Sequence, residues 1–160
     1  MKNKKQKIYR TLQAVFKKEC LIVGVGNVLR GDDAFGPLLI ERIKDRIGAV
    51  CIDAGTAPEN YLGKIVKRAP RTVLIADAAQ LGMASGEYDI LKKKDIVRSG
   101  FTTHDLSPVM FIEYLEKELA ADIYMLAVQP ENVDFGEEVS PNVKKTLDEM
   151  TQLIEEAYNA

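Results

Sequence analysis

The chain has 160 residues, with 22 Lys+Arg against 24 Asp+Glu, a formal net charge of −2, and 46% hydrophobic residues. That length holds one domain with a substantial hydrophobic core, and the composition excludes disordered and fibrous classes. The slightly acidic balance argues against nucleic acid as a partner, which would need a basic face.

The chain opens on a basic stretch. Tyr9, Leu12, Val15 and Phe16, followed by Lys17 and Lys18, suggest an amphipathic helix, so residues 1–19 read as a basic helical extension packed on or beside a single domain of residues 1–160. Residues 21–25 read as a buried strand ending in a glycine-rich turn. Asp32 and Asp33 then occupy positions where helix N-caps sit, and Phe35, Leu38, Leu39, Ile43 and Ile47 form the apolar face of the helix that follows. Residues 49–52 form a short second strand ending at Asp53, and a helix covers 59–68. Residues 72–76 form the third strand, ending at Asp77, and 87–91 alternate like a half-exposed edge strand. Pro108 opens a helix, residues 122–128 form the last strand, and Ser140-Pro141 starts a final helix. Continuous apolar strands alternating with amphipathic helices predict an α/β fold. We expect a three-layer α/β/α sandwich around a mostly parallel, twisted five-stranded sheet with helices on both faces.

Several chemistries fall away. Cys20 and Cys51 match no zinc or redox spacing and read as reduced core thiols. The longest uncharged apolar stretch, residues 21–29, is far shorter than the ~18 residues of a membrane span, and Lys17, Lys18 and Glu19 interrupt any signal-peptide core. The expectation is a cytoplasmic protein with no membrane insertion. The turn Gly24-Val25-Gly26-Asn27 suggests a dinucleotide fold, but Leu29 stands where the third glycine belongs, and no G-K-[ST] occurs. No Ser-His-Asp or Cys-His arrangement indicates a nucleophilic protease.

What remains lies at the carboxyl ends of the strands, where parallel sheets form their sites. Asp33, Asp53 and Asp77 follow strands one, two and three, and the only histidine, His104, lies in a loop before a helix. One histidine excludes a metal site with two imidazoles from this chain. Two carboxylates and His104 would make an O,O,N site with room for further ligands. Each residue also has a plainer role: Asp33 as a helix cap, Asp77 bonded to loop amides, His104 at the start of a helix without a ligand, the glycines in turn geometry.

The blocks Gly24-Val25-Gly26-Asn27-Val28-Leu29-Arg30-Gly31-Asp32-Asp33, Gly36-Pro37, Ile52-Asp53-Ala54-Gly55-Thr56-Ala57-Pro58, Leu74-Ile75-Ala76-Asp77, Thr102-Thr103-His104 and Gln129-Pro130 occur in order from Leu21 onward. Together they resemble the nickel–iron hydrogenase maturation endopeptidases, especially the branch acting on the hydrogenase 3 large subunit. The first 20 residues lack a counterpart in a typical member, and Ala34 stands where many members have glycine.

The resemblance implies a hydrolase that removes the C-terminal extension of the nickel-loaded large-subunit precursor. It implies that Asp33, Asp77 and His104 are the catalytic and metal-contacting residues, with Asp53, Gly24 and Asn27 as auxiliaries. The nickel would be presented by the precursor, with other divalent metals able to occupy the site in vitro, and the protein would be a monomer. Sensing of substrate nickel is favoured over a resident metal that activates water. A non-catalytic checkpoint that binds the loaded precursor is the alternative function.

Overall fold

In the computed structural model, which describes residues 2–99 and 108–160, the apolar runs pair into one five-stranded sheet. Its strands are β1 (Cys20–Val25), β2 (Val50–Gly55), β3 (Thr72–Ala78), β4 (Tyr88–Leu91) and β5 (Asp122–Val128), in the order β2-β1-β3-β5-β4. The first four in that order are parallel; β4 runs antiparallel along β5 at the edge. Its four residues are all half-buried, as suits an edge strand, without the in–out alternation that the sequence pattern suggests.

Helices cover both faces, and period-two alternation decides which strand residues meet which helices. Ile22, Leu74, Ala76, Leu126 and Val128 pack with α1 (Lys2–Phe16), α2 (Phe35–Ile43) and α6 (Pro141–Asn159). Leu21, Val23, Val73, Ile75, Met125 and Ala127 pack with α3 (Leu62–Arg68), α4 (Lys93–Ser99) and α5 (Pro108–Glu118). The expected three-layer α/β/α sandwich is the observed one.

The basic first helix buries Ile8, Leu12 and Val15 in the core of the first face. It runs parallel to α6: Lys5 Nζ lies 3.3 Å from Glu149, and eleven residues on the Phe16 ring meets Tyr158 edge-on at 5.4 Å.

Some boundaries differ from the sequence reading. The helix after strand one ends at Ile43, and Ile47 is buried from the turn beyond it. Residues of the 59–68 helix begin as a tight 3₁₀ turn, Pro58–Tyr61, before α3. Strand two runs to Gly55, so Asp53 lies within β2; strand three runs to Ala78, so Asp77 lies within β3. Helix α4 was not expected, since Ile96 is its only buried apolar residue; its start is fixed by the Asp95 carboxylate accepting the Lys92 N–H at 3.0 Å. Cys20 is buried and Cys51 half-buried; both are free thiols, and burial pushes each up to about 11.

Candidate active site

The site is built where α2 rests on the strand ends. A Cβ on Gly36 would collide with the carbonyl oxygens of Val25 and Ala76, so the first turn of α2 lies directly on β1 and β3. A Cβ on Gly24 would come 2.5 Å from the Gly36 carbonyl oxygen, and one on Gly26 would collide with the Asp33 carbonyl oxygen. These glycines therefore permit backbone-to-backbone approach, which presses the 26–33 turn onto the C-terminal rim of the sheet.

The neighbouring acids of that turn do different work. Neither caps α2: its N-cap is Ala34, without a side-chain bond, and both aspartates lie in a 3₁₀ turn, Gly31–Ala34. The capping expectation fails because the 3₁₀ turn already leads the chain into the helix. Asp33 is 1% exposed, and its Oδ2 accepts the Asn27 N–H at 3.0 Å, closing the turn on itself. Asn27 in turn accepts the Leu29 N–H at 2.9 Å through Oδ1.

Asp32 is fully buried and faces the start of α6. Its Oδ1 accepts the Ser140 N–H at 2.7 Å; its Oδ2 accepts the Ser140 hydroxyl at 2.9 Å and the N–H groups of Glu131 and Asn132 at 2.8 and 3.2 Å. Ser140 is the N-cap residue of α6, but its hydroxyl is spent on Asp32 and not on the helix. The carboxylate takes over the stabilising position at the positive end of a 19-residue helix.

Asp77 sits in β3, 3% exposed, paired in register with Ala127. Strand parity puts it on the face of Val73 and Ile75, the side covered by α3, α4 and α5. Beside it, buried Gln129 organises the connection to β4. Its Oε1 accepts the Leu81 N–H at 2.6 Å, and its Nε2 donates to Gln80 Oε1 at 2.9 Å and to the Pro130 carbonyl at 3.2 Å.

Asp33, in the 3₁₀ turn that follows β1 and packs against β3, and Asp77, near the end of β3, therefore both lie toward the C-terminal rim of the sheet. Gly24 and Asn27 support that turn. Asp53 is not gathered with them: it is exposed on β2, and its Oδ1 accepts the Gly55 N–H at 3.0 Å in a local turn. His104 lies outside the described residues, between the end of α4 and the start of α5. Among the described residues no three His, Cys, Asp or Glu side chains gather as a metal-binding group. Sequence reasoning missed the roles of Asp32, Ser140 and Gln129. A paired acid at the turn and a Ser-Pro helix start were visible, but their connection spans 108 residues.

Apart from Asp32, already committed to the α6 start, Asp33 and Asp77 are the buried carboxylates among the described residues. An ionised carboxylate is acceptor-only with about four lone-pair positions, so groups of this type can hold a cation or take a proton. Oxygen donors of this kind suit divalent ions, and imidazole added to them suits nickel.

A family model for hydrogenase maturation proteases matches residues 37–157. The hydrogenase 3 maturation protease of Escherichia coli is 32% identical over 138 residues, covering 84% of this chain and 88% of its own. The crystal structure of a [NiFe] hydrogenase maturation protease from Thermococcus kodakarensis superposes with a TM-score of 0.85 at 32% identity, covering 94% of this chain and 99% of that one. The solution structure of an Escherichia coli endopeptidase of this type gives 0.75 at 29% identity, over 86% of this chain and 89% of that one. Among the described residues no helix is long and apolar enough to cross a membrane.

Proposed function

The chain belongs to the hydrogenase maturation protease family, and on that premise we propose that it removes the C-terminal extension of a nickel-loaded hydrogenase large-subunit precursor. The observation that carries this reading is the pair of buried carboxylates, Asp33 and Asp77, delivered to one rim by separate segments of the chain. In this reading they and His104 meet the nickel that the precursor already holds. The ion is then part of the substrate, and a set of so few protein donors is sufficient.

Peptide hydrolysis needs a water directed at the scissile carbonyl, a group to take its proton and a group to protonate the leaving amine. The rim offers Asp33 and Asp77 for these tasks. Burial in a low-dielectric setting makes a carboxylate's interaction with a nearby cation stronger than it would be in water. Engagement of the loaded precursor would therefore anchor the scissile segment against them, whereas an unloaded precursor lacks the charge that the pair attracts. Asn27 holds Asp33 in position, and Gln129 holds the loop that follows Asp77.

Incubation with nickel-loaded and nickel-free precursor, read by mass spectrometry, tests the proposal. A mass loss equal to the C-terminal tail from the loaded form alone is expected. Tight binding with the precursor left intact would instead indicate a checkpoint that does not cut. Asp77→Asn and His104→Ala should each abolish cleavage with unchanged circular dichroism; full activity in either would remove that residue from the mechanism. One relative, the delta subunit of a coenzyme F420 hydrogenase from Methanothermobacter thermautotrophicus, is 27% identical over 153 residues, so a precursor of that class belongs in the assay.

A further inference from the structure

Beside the carboxylate rim, the surface carries an apolar patch that the proposed chemistry does not use. Val28, Leu29 and Phe135 are 60%, 57% and 74% exposed. They belong to two segments that are far apart in sequence and joined in space. The Gly136 N–H donates to the Leu29 carbonyl at 2.8 Å, Gly31 to Glu137 at 3.1 Å, and Asp32 to Asn132 at 2.9 Å. Arg30 Nε adds a bond to the Val133 carbonyl at 3.1 Å. The buried Asp32 carboxylate ties the same two segments together from beneath.

Apolar side chains on a loose loop can fold back and hide; on loops strapped at this many points they stay presented. Three large exposed hydrophobics held together in this way mark an interaction surface, and their fixed backbone lowers the entropy lost when a partner binds. The surroundings define the partner. Glu131, Asp134, Glu137 and Glu138 are all exposed on the second segment, and across both segments the only cation is Arg30, already bonded to Val133. A complementary surface is therefore apolar with positive charge around it. The patch is also continuous with the rim, since Asn27, which precedes Val28, is bonded to Asp33.

We propose that Val28, Leu29 and Phe135, edged by the acidic 131–138 loop, form the docking surface for the hydrogenase large-subunit precursor, engaging an apolar, lysine- or arginine-bearing part of it. This rests on the reading that the chain acts on such a precursor. Docking here sets the orientation in which the precursor's tail reaches Asp33 and Asp77.

Processing kinetics on nickel-loaded precursor test it, with the full chain and the variants Phe135→Ser, Leu29→Ser and Asp134→Lys. The replaced side chains are exposed, so melting temperatures should match the parent protein. The expected result is a KM raised by about tenfold or more in the serine variants with kcat retained, and a KM in Asp134→Lys that is raised at low salt and converges on the parent value at high salt. Cleavage by all three with KM within about twofold of the parent overturns the docking surface and leaves the protease reading intact. Failure of the parent protein to cut the loaded precursor overturns that reading and the docking surface with it. Sedimentation of the protein alone supplies a further arm: a dimer that Phe135→Ser dissolves would assign the patch to a second copy of this chain and overturn the proposal.

Discussion

Replacing Asp32 by alanine removes a buried acceptor from the Ser140 hydroxyl and from three backbone N–H groups, those of Glu131, Asn132 and Ser140. Each donor left buried without a partner costs about 1–3 kcal/mol. Water can replace the carboxylate at Glu131, which is exposed, and the freed Ser140 hydroxyl can turn to cap α6. Allowing for both, the loss is about 3–5 kcal/mol, to which the interaction with the α6 dipole contributes. At about 2–4 °C per kcal/mol for a domain of this size, the melting temperature should fall by roughly 6–20 °C. Asp32→Asn should fall between the two, because its amide presents one oxygen and a pair of donors where donors already converge. Calorimetry gives the shift, and amide hydrogen exchange locates it: protection should drop first at Glu131, Asn132 and Ser140. A shift under about 3 °C with unchanged protection at those amides would refute the assignment of Asp32 as the clamp between the turn and α6.

The remaining predictions concern packing and pH. Gly36→Ala pushes a methyl group into the carbonyls of Val25 and Ala76, costing about 1–3 kcal/mol and displacing the turn that carries Asp33; processing activity should fall further than the melting temperature alone explains. Leu12→Ala empties a fully buried position under the first helix and should lower stability by about 2–5 kcal/mol in urea titrations. Lys5→Ala, which breaks the partly exposed ion pair with Glu149, should change it by less than about 1 kcal/mol. Alkali should destabilise the fold, because burial raises Cys20 from 9.0 to about 11 and Cys51 likewise, so the folded state keeps protons that the unfolded chain releases. That stability is fully present below pH 9 and lost as pH rises through 9–11, about 1–2 kcal/mol of it from Cys20. Urea midpoints at pH 8 and 10.5 should differ, and Cys20→Ala should narrow the difference; equal midpoints for the parent protein would contradict the sign.

The parts of the fold that the sequence disclosed are those whose signal is local. β1, β3 and β5 are unbroken apolar runs, and α6 repeats Val143, Leu147, Met150, Ile154 and Ala157 at helical spacing, all buried. Asp33 and Asp77 could be singled out because strand ends are where polar residues meet substrate. The end of strand two was read too early for the opposite reason. β2 continues past Ile52 through Asp53 and Gly55, residues with poor strand propensity, because β1 supplies the pairing. Helix α4 has one buried apolar residue and therefore no periodicity to read. The Asp32–Ser140 link had no local signature, since its partners meet only after the sheet has formed.

The parallel contact between α1 and α6 bears on how the chain is made. Helix α1 packs against α6, so the sheet face bearing Ile22, Leu74 and Leu126 lacks part of its cover until residues 141–159 have been made. At about 5–20 residues per second the emerging strands carry that exposed face for many seconds. Closure of that face therefore waits until α6 has emerged and packed against α1. A nascent chain stalled before residue 141 should remain a client for chaperones that hold apolar surface.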